Sequence, residues 1–155
     1  MAYRETYTDA EWQTLQFTPM WAFTAIAMAD GKVDDAEFQA FLKEISDAPI
    51  YKSALVREVL LSILVDFAKI APAYKADTRT VVQGIREGGI LLGKVDADQA
   101  SMFKAAVMAI ASKVAEASGG MFGPKASQQE KEAWATIGLL LGFNMKESNE
   151  ALARV

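Results

Sequence analysis

Apolar residues recur every three or four positions along most of the chain, which is the spacing of an amphipathic helix. No segment sustains an alternation of apolar and polar residues over the length of a strand. Three apolar segments are preceded by a capping box, in which the first and fourth residues exchange hydrogen bonds at a helix start. These boxes are Thr8–Glu11, Asp34–Glu37 and Ser127–Glu130. The pattern therefore predicts an all-α fold, a compact bundle of about seven helices in a single domain over residues 1–155.

Prolines set two of the predicted helix boundaries in the first half of the chain. Thr18 and Pro19 have the order of an N-cap followed by a first helical residue, so a helix is expected to begin there and to end near Ala29. Residues 52–70 form the most apolar segment. Their wide apolar stripe predicts one central helix, which Pro72 ends.

Three glycines lie in a further helix predicted over residues 77–92. Gly84, Gly88 and Gly89 lower its intrinsic helix propensity. A phosphate-binding turn is not supported, because no strand precedes these glycines and no Lys-Ser or Lys-Thr pair follows them. The four-residue spacing of Gly84 and Gly88 instead predicts a close contact between two helices.

Two helix–turn–helix units resemble each other along the chain. The first surrounds residues 25–37 and the second residues 111–130, with an insertion at 120–126 in the second. Each unit ends one helix and leads into another that has a capped start. Asp96 is expected to cap the helix that enters the second unit. Glu130 opens the helix that follows, and its first turn is expected to be solvated.

The turn in the first unit resembles the signature of the TerB-like family, which is associated with tellurite resistance. The residues that carry the likeness are AMADGKVDDAE at 27–37, which follow the family pattern A-x-A-D-G-x-(apolar)-x-x-x-E. The segment IGLLLGF at 137–143 resembles the closing repeat of the family. The resemblance extends loosely over residues 21–143.

This resemblance implies an all-helical domain of two related halves. It also implies acidic clusters that bind a metal or a partner, and a role in stress responses rather than catalysis. The second unit of the family usually repeats the Asp-Gly pair, whereas this chain has Ser118 and Gly119 followed by the insertion. The departure argues against a symmetric pair of acidic sites.

Composition narrows the chemistry that the chain can perform. Its 155 residues include no cysteine and no histidine, and its formal net charge is −4. Thiolate and imidazole catalysis are thereby excluded, and a metal ion would need oxygen ligands, which suit Ca²⁺, Mg²⁺ or Mn²⁺. The acidic balance argues against nucleic-acid binding, and no apolar run reaches the about 18 residues of a membrane span. The polar first residues show no secretory signal, so we expect a cytoplasmic protein. Because catalysis would have to rely on carboxylates, lysines or hydroxyls alone, we also expect that it is not an enzyme.

The densest group of carboxylates lies in the turn at residues 30–37. Asp30, Asp34, Asp35 and Glu37 are the candidate ligands of a weak divalent-cation site, or the contacts of a partner. The positions where an EF-hand loop would place its first two ligands are apolar, so the turn is not an EF-hand. Capping of the following helix by Asp34 and Glu37 explains the same residues and is the favoured interpretation.

Partner binding is the other function that the sequence predicts. Met121 and Phe122 in the insertion form an apolar loop tip and are the candidate contacts of a partner. The aromatic residues of 12–23 are expected to pack in the core rather than to line a partner groove. The alternative function is a homodimeric interaction module without a metal, which buries the surface of residues 55–67 or 12–23. A small-molecule pocket between the two helical halves is a third hypothesis.

Overall fold

Helices form all the regular structure in the described part of the computed structural model, which covers residues 3–29, 35–117 and 128–143. The α-helices in these ranges are α1 Asp9–Ala27, α2 Asp35–Ser46, α3 Ala54–Val65, α4 Phe67–Ala76, α5 Val81–Leu91, α6 Ala97–Ala117 and α7 Gln128–Leu141. Short 3₁₀ turns cover Arg4–Thr6, Ala48–Ile50 and Leu92–Lys94. The prediction of an all-α bundle is confirmed. No helix in these ranges is long and apolar enough to cross a membrane.

The centre of the bundle is α1, which packs against α3, α5, α6 and α7. Its residues 14–22 are buried without interruption, as expected for a helix that has neighbours on all sides. The prediction that residues 52–70 are central is therefore wrong. That segment buries one side only, and Leu61 and Val65 are 39% and 80% exposed.

Pro19 lies inside α1 and does not begin a helix, so the predicted start at this position is wrong. A proline in a helix interior removes a backbone hydrogen bond and costs about 3 kcal/mol. The hydroxyl of Thr18, which was expected to cap a new helix, donates to the Thr14 carbonyl at 2.8 Å. Packing offsets the cost of the proline, because the same stretch buries Phe17 and Trp21, whose rings meet edge to face at 5.5 Å.

The single helix predicted over residues 52–70 is in fact two helices, α3 and α4, which meet at Asp66. The backbone of Asp66 (φ −109°, ψ 20°) leaves the helical region. Its N–H still donates to the Ser62 carbonyl, and its carbonyl still accepts from the Ile70 N–H. The break lets Ile70, the buried residue of α4, join the core. Pro72, predicted to end a helix, instead lies exposed inside α4.

Local caps begin several of the helices. The Glu11 N–H donates to the Thr8 hydroxyl at 3.2 Å, and the reciprocal bond completes the predicted capping box of α1. The Gln99 N–H donates to the Asp96 carboxylate at 2.9 Å, so the predicted cap of α6 is also confirmed. The helix predicted over residues 77–92 begins later than expected, because α5 starts after Thr80. Thr80 and Gln83 form a capping box there that was not predicted.

The glycines of α5 allow it to approach two other helices closely. A Cβ atom at Gly84 or Gly88 would overlap a side chain of α1. At Gly89 it would lie 3.1 Å from the backbone carbonyl oxygen of Leu140 in α7. The interpretation of Gly84 and Gly88 as close packing positions is confirmed.

The two similar units pack against each other in a reciprocal way. Their first helices, α1 and α6, contact each other, while α2 packs on α6 and α7 packs on α1. One apolar core includes buried residues from all four helices. The second helix of each unit thus packs on the first helix of the other unit.

Candidate functional site

The acidic turn at residues 30–37 lies only partly in the described structure. Asp30 and Asp34 fall outside it, while Asp35 and Glu37 lie in the first turn of α2. Asp35 is exposed, whereas Glu37 is only 1% exposed. Within the described ranges, no three acidic side chains gather into a metal site. The four-carboxylate site for Ca²⁺, Mg²⁺ or Mn²⁺ therefore stays a prediction.

Glu130 occupies the matching place in the second unit and is also buried. It lies in the first turn of α7 and is 2% exposed, so the expectation of a solvated first turn is wrong at this residue. A buried carboxylate requires hydrogen bonds or positive charge for compensation. The first turn of a helix is favourable because its N–H groups and dipole attract negative charge. Glu37 and Glu130 thus share a structural position as well as a place in the sequence repeat.

The structure describes only some of the residues that were considered as contacts of a partner. Met121 and Phe122 lie outside the described residues and stay predictions. Every aromatic side chain of residues 12–23 is buried or half-buried, down to 2% exposure for Trp21, so their interpretation as core is confirmed. Of the two surfaces considered for a partner, the segment 55–67 is the one that leaves large apolar side chains exposed.

A cleft of about 870 Å³ opens between α1, α3 and α4. Trp12 and Gln16 of α1, Glu58 and Leu61 of α3, and Ile70 of α4 are among its lining residues. The volume lies within the range of about 300–1,000 Å³ found for ligand pockets. The sequence interpretation missed this cleft. The sequence feature that could have indicated the cleft was the wide apolar stripe of α3, which was interpreted as the mark of a buried central helix.

The floor of the cleft is apolar, and a hydrogen bond between α1 and α3 lies beside it. Trp12 and Ile70 are 6% and 5% exposed, so only their edges reach the surface. Beside them the Gln16 side-chain amide donates to the Ser62 hydroxyl at 2.9 Å, and that hydroxyl donates to the Val59 carbonyl at 2.6 Å. The first of these bonds joins α1 to α3, and the second lies within α3.

Arg4 also lines the cleft. Its guanidinium lies 5.5 Å from the centre of the Trp12 ring, forms an ion pair with Asp9 and donates to the Tyr7 carbonyl at 2.9 Å. The backbone N–H of Arg4 donates to the Glu58 carboxylate at 3.1 Å. The positive charge of Arg4 is therefore engaged within the protein.

The remaining charges of the cleft belong to two basic and two acidic side chains. The guanidinium of Arg57 donates to the carbonyls of Tyr51 and Lys52, at 2.5 and 2.7 Å. Glu58 and Asp66 have no lysine or arginine side-chain nitrogen of the described chain within 4 Å. Arg57 and Lys69 likewise have no acidic oxygen of the described chain within 4 Å, so the unpaired charges of the lining balance.

A second charged cluster joins the α4–α5 connection to α1. The guanidinium of Arg79 lies 4.8 Å from the centre of the Trp21 ring. It pairs with Asp77 at 2.8 Å and Glu87 at 2.5 Å, and it donates to the Thr14 hydroxyl at 2.9 Å. The hydrogen bond from Arg79 holds the pKa of Asp77 below its usual range. Because these groups satisfy one another, the cluster serves as a structural clamp.

Comparison with known proteins places the chain in a family. No family model and no solved structure matches it. The chain is 30% identical over 149 residues to the uncharacterised protein ORF11' of Methanothermobacter thermautotrophicus. The match covers 94% of this chain and 97% of that protein. The chain therefore belongs to the same family as this archaeal protein.

Proposed function

We propose that the protein is a non-catalytic binding domain of the TerB-like kind, which serves a stress response such as tellurite resistance in the cytoplasm. The carrying observation is the buried Glu37, which ends the TerB-like motif at 27–37. The motif therefore has a carboxylate turned into the protein at its last position and an exposed one at Asp35. The lack of histidine and cysteine also favours binding over catalysis.

The first ligand that we propose is a divalent cation at the acidic turn. Asp30, Asp34, Asp35 and Glu37 would supply the oxygen ligands that Ca²⁺, Mg²⁺ and Mn²⁺ prefer, together with backbone carbonyls and water. We expect weak binding, because the set contains few carboxylates and the start of α2 competes for Glu37.

Calorimetry with each metal tests this proposal. Asp30→Asn/Asp34→Asn removes two charges and keeps a favourable N-cap residue at position 34. We expect the binding heat of the wild type to be lost in this variant and retained in Asp96→Asn/Asp98→Asn, which removes two charges from another acidic helix start. The absence of heat at millimolar metal, or equal heat from both variants, would refute the cation site.

The second candidate is a homodimeric interaction module, and the exposed face of α3 favours it. Leu61, Leu64 and Val65 are 39%, 36% and 80% exposed, and their spacing places them on one side of the helix. Contiguous exposed apolar residues are typical of protein interfaces. A stable dimer would need to bury about 800 Å² on each partner, so this face would form the centre of a larger contact.

Sedimentation equilibrium tests the dimer. We expect the wild type to dimerise and Leu64→Lys/Val65→Lys to sediment as a monomer. Leu139→Lys is the control, because Leu139 of α7 is 82% exposed and should tolerate the charge. A wild type that remains monomeric at high concentration, or a control that dissociates equally, would contradict the dimer.

A further inference from the structure

We propose that α4 is a strap that detaches from the bundle as a unit and opens the cleft while the other helices remain folded. This inference goes beyond the proposed function, because it concerns neither the acidic turn nor the exposed face of α3. It rests on the sparse burial of α4, on its single polar attachment to another helix and on the proline in its interior.

Few side chains attach α4 to the core. Only Ile70 of its ten residues is buried, while Phe67, Ala73 and Tyr74 pack half-buried against the core. By comparison, α6 buries ten of its 21 residues. No other α-helix of the described ranges buries as few residues as α4. Local opening costs least where few apolar side chains leave the core, so α4 should open before the other helices.

The hydroxyl of Tyr74 is the polar attachment of α4 to α1. It lies 2.7 Å from the Thr24 hydroxyl and 3.3 Å from the Met20 carbonyl oxygen. The Tyr74 ring also meets Phe17 of α1 edge to face at 5.3 Å. Within the described part of the chain, no other side chain of α4 forms a hydrogen bond or an ion pair with another helix. One tyrosine and a narrow apolar stripe therefore hold α4 in place.

Pro72 weakens α4 from within. It lies exposed in the helix interior and has no N–H to donate to the carbonyl of Ala68, four residues earlier. With ten residues, α4 is also shorter than the about 12 residues that an isolated helix needs for even marginal stability in water. A detached α4 therefore loses its backbone hydrogen bonds, so that detachment and local unfolding are one event.

Both ends of α4 are fixed, which confines the opening to the strap. At its start, the Asp66 N–H donates to the Ser62 carbonyl at 3.1 Å and continues the hydrogen bonding of α3. After its end, Asp77 is paired with the Arg79 guanidinium, which lies 4.8 Å from the centre of the Trp21 ring. The chain between these points is released from α1 without any disturbance of α3 or α5.

Opening of the strap enlarges the cleft and uncovers part of the core. Lys69, Ile70 and Ala73 form the α4 side of the cleft and leave it when the strap detaches. Phe17, against which Tyr74 packs, is 0% exposed while α4 is in place. A pocket that exists only in a minor conformation binds a ligand only after the local opening. The strap therefore controls access to the apolar floor of the cleft.

Native-state hydrogen exchange, measured for single amides by NMR, tests the proposal. The amides of α4 should exchange at least about tenfold faster than the most protected amides of α6, and they should share one opening equilibrium. Low concentrations of urea should hardly change exchange in α4, because a local opening exposes little surface. Exchange in α6 should rise steeply under the same conditions, because it requires global unfolding.

Two conservative variants separate opening of the strap from global unfolding. Tyr74→Phe removes the polar attachment and keeps the ring, so exchange in α4 should become at least about threefold faster. Ile137→Val removes a methyl group from α7 at a position that is 1% exposed. That contact persists when only α4 detaches, so this control should accelerate exchange in α6 at least about twofold and leave α4 unchanged.

Three results would overturn the proposal. Exchange in α4 at the rate and the urea dependence of α6 would mean that the strap opens only with the whole protein. Equal acceleration of both helices by Ile137→Val would mean the same. If Tyr74→Phe leaves exchange in α4 unchanged, the helix frays at its surface without release from α1.

Discussion

The indole ring of Trp21 in α1 lies directly on the backbone of Gly84 in α5. A Cβ atom at position 84 would overlap three carbons of the ring. One turn further along α5, a Cβ atom at Gly88 would overlap the Thr18 hydroxyl. Two helices therefore meet where one of them has no side chain, and Trp21 is buried to 2% exposure at that contact.

Gly84→Ala is expected to destabilise the protein by about 2 kcal/mol, because overpacking typically costs about 1–3 kcal/mol. The clash should exceed the gain of about 1 kcal/mol in helix propensity, since Arg79 and the core hold the indole in place. Urea unfolding followed by circular dichroism measures the change. In the control Gly93→Ala, a Cβ atom would have no atom within 4 Å, so unfolding should be unchanged or shifted to higher urea. Equal stability of Gly84→Ala and the wild type would show that Trp21 moves freely.

Arg79→Lys is expected to lower the free energy of unfolding by about 1–3 kcal/mol. A lysine cannot form the paired hydrogen bonds to Asp77 while also reaching Glu87 and stacking on Trp21, so the clamp loses several contacts at once. Chemical denaturation gives the difference. Arg86→Lys, at an exposed position of α5, should have little effect. A similar small effect at position 79 would mean that the clamp contributes nothing to stability.

The buried Tyr7 should make stability depend on alkaline pH. Burial raises the pKa of Tyr7 to about 12, and its hydroxyl donates to the Leu91 carbonyl at 3.0 Å. Between pH of about 10, the usual tyrosine pKa, and about 12, the unfolded chain loses this proton while the folded chain keeps it. The contribution of Tyr7 to the free energy of unfolding is therefore fully present below pH of about 10, and it is lost as the pH rises through the pKa of the folded state.

Unfolding in urea across this pH range checks the prediction. Tyr7→Phe should lower stability by about 1 kcal/mol at neutral pH, through the lost hydrogen bond, and should reduce the alkaline decline. A variant that declines as steeply as the wild type would assign the alkaline effect to other tyrosines. Burial also raises the pKa values of Tyr51 and Tyr74, so part of the decline should remain in Tyr7→Phe.

Pro72→Ala is expected to stabilise the protein by about 1–3 kcal/mol and to raise the melting temperature. Pro72 lies exposed inside α4, so alanine restores a helical N–H without loss of core packing. Pro49, at the start of the 3₁₀ turn Ala48–Ile50, provides the control. Its replacement by alanine should not stabilise, because proline is favourable at a helix start. A Pro72→Ala protein that melts at or below the wild-type temperature would contradict the prediction.

The parts of the fold that were predictable are those determined by neighbours in the sequence. Thr8 with Glu11, and Asp96 with Gln99, form caps within four consecutive residues, so the sequence contains all the atoms that the structure needs there. The candidate acidic turn was also identified from local spacing. Its two described members show why spacing alone was insufficient, because Asp35 is exposed while Glu37 is buried.

The chain by itself determined that the protein is helical and where several helices begin, because these properties depend on periodicity and local hydrogen bonds. Only the tertiary structure decided that Pro19 lies inside α1, that Asp66 separates α3 from α4, and that a cleft opens between them. Each of these depends on partners distant in sequence: α1 continues through its proline because Phe17 meets Tyr74 and Trp21 meets Gly84. The packing free energy of such contacts exceeds the local preference of a few residues, and it becomes visible only when the helices are assembled.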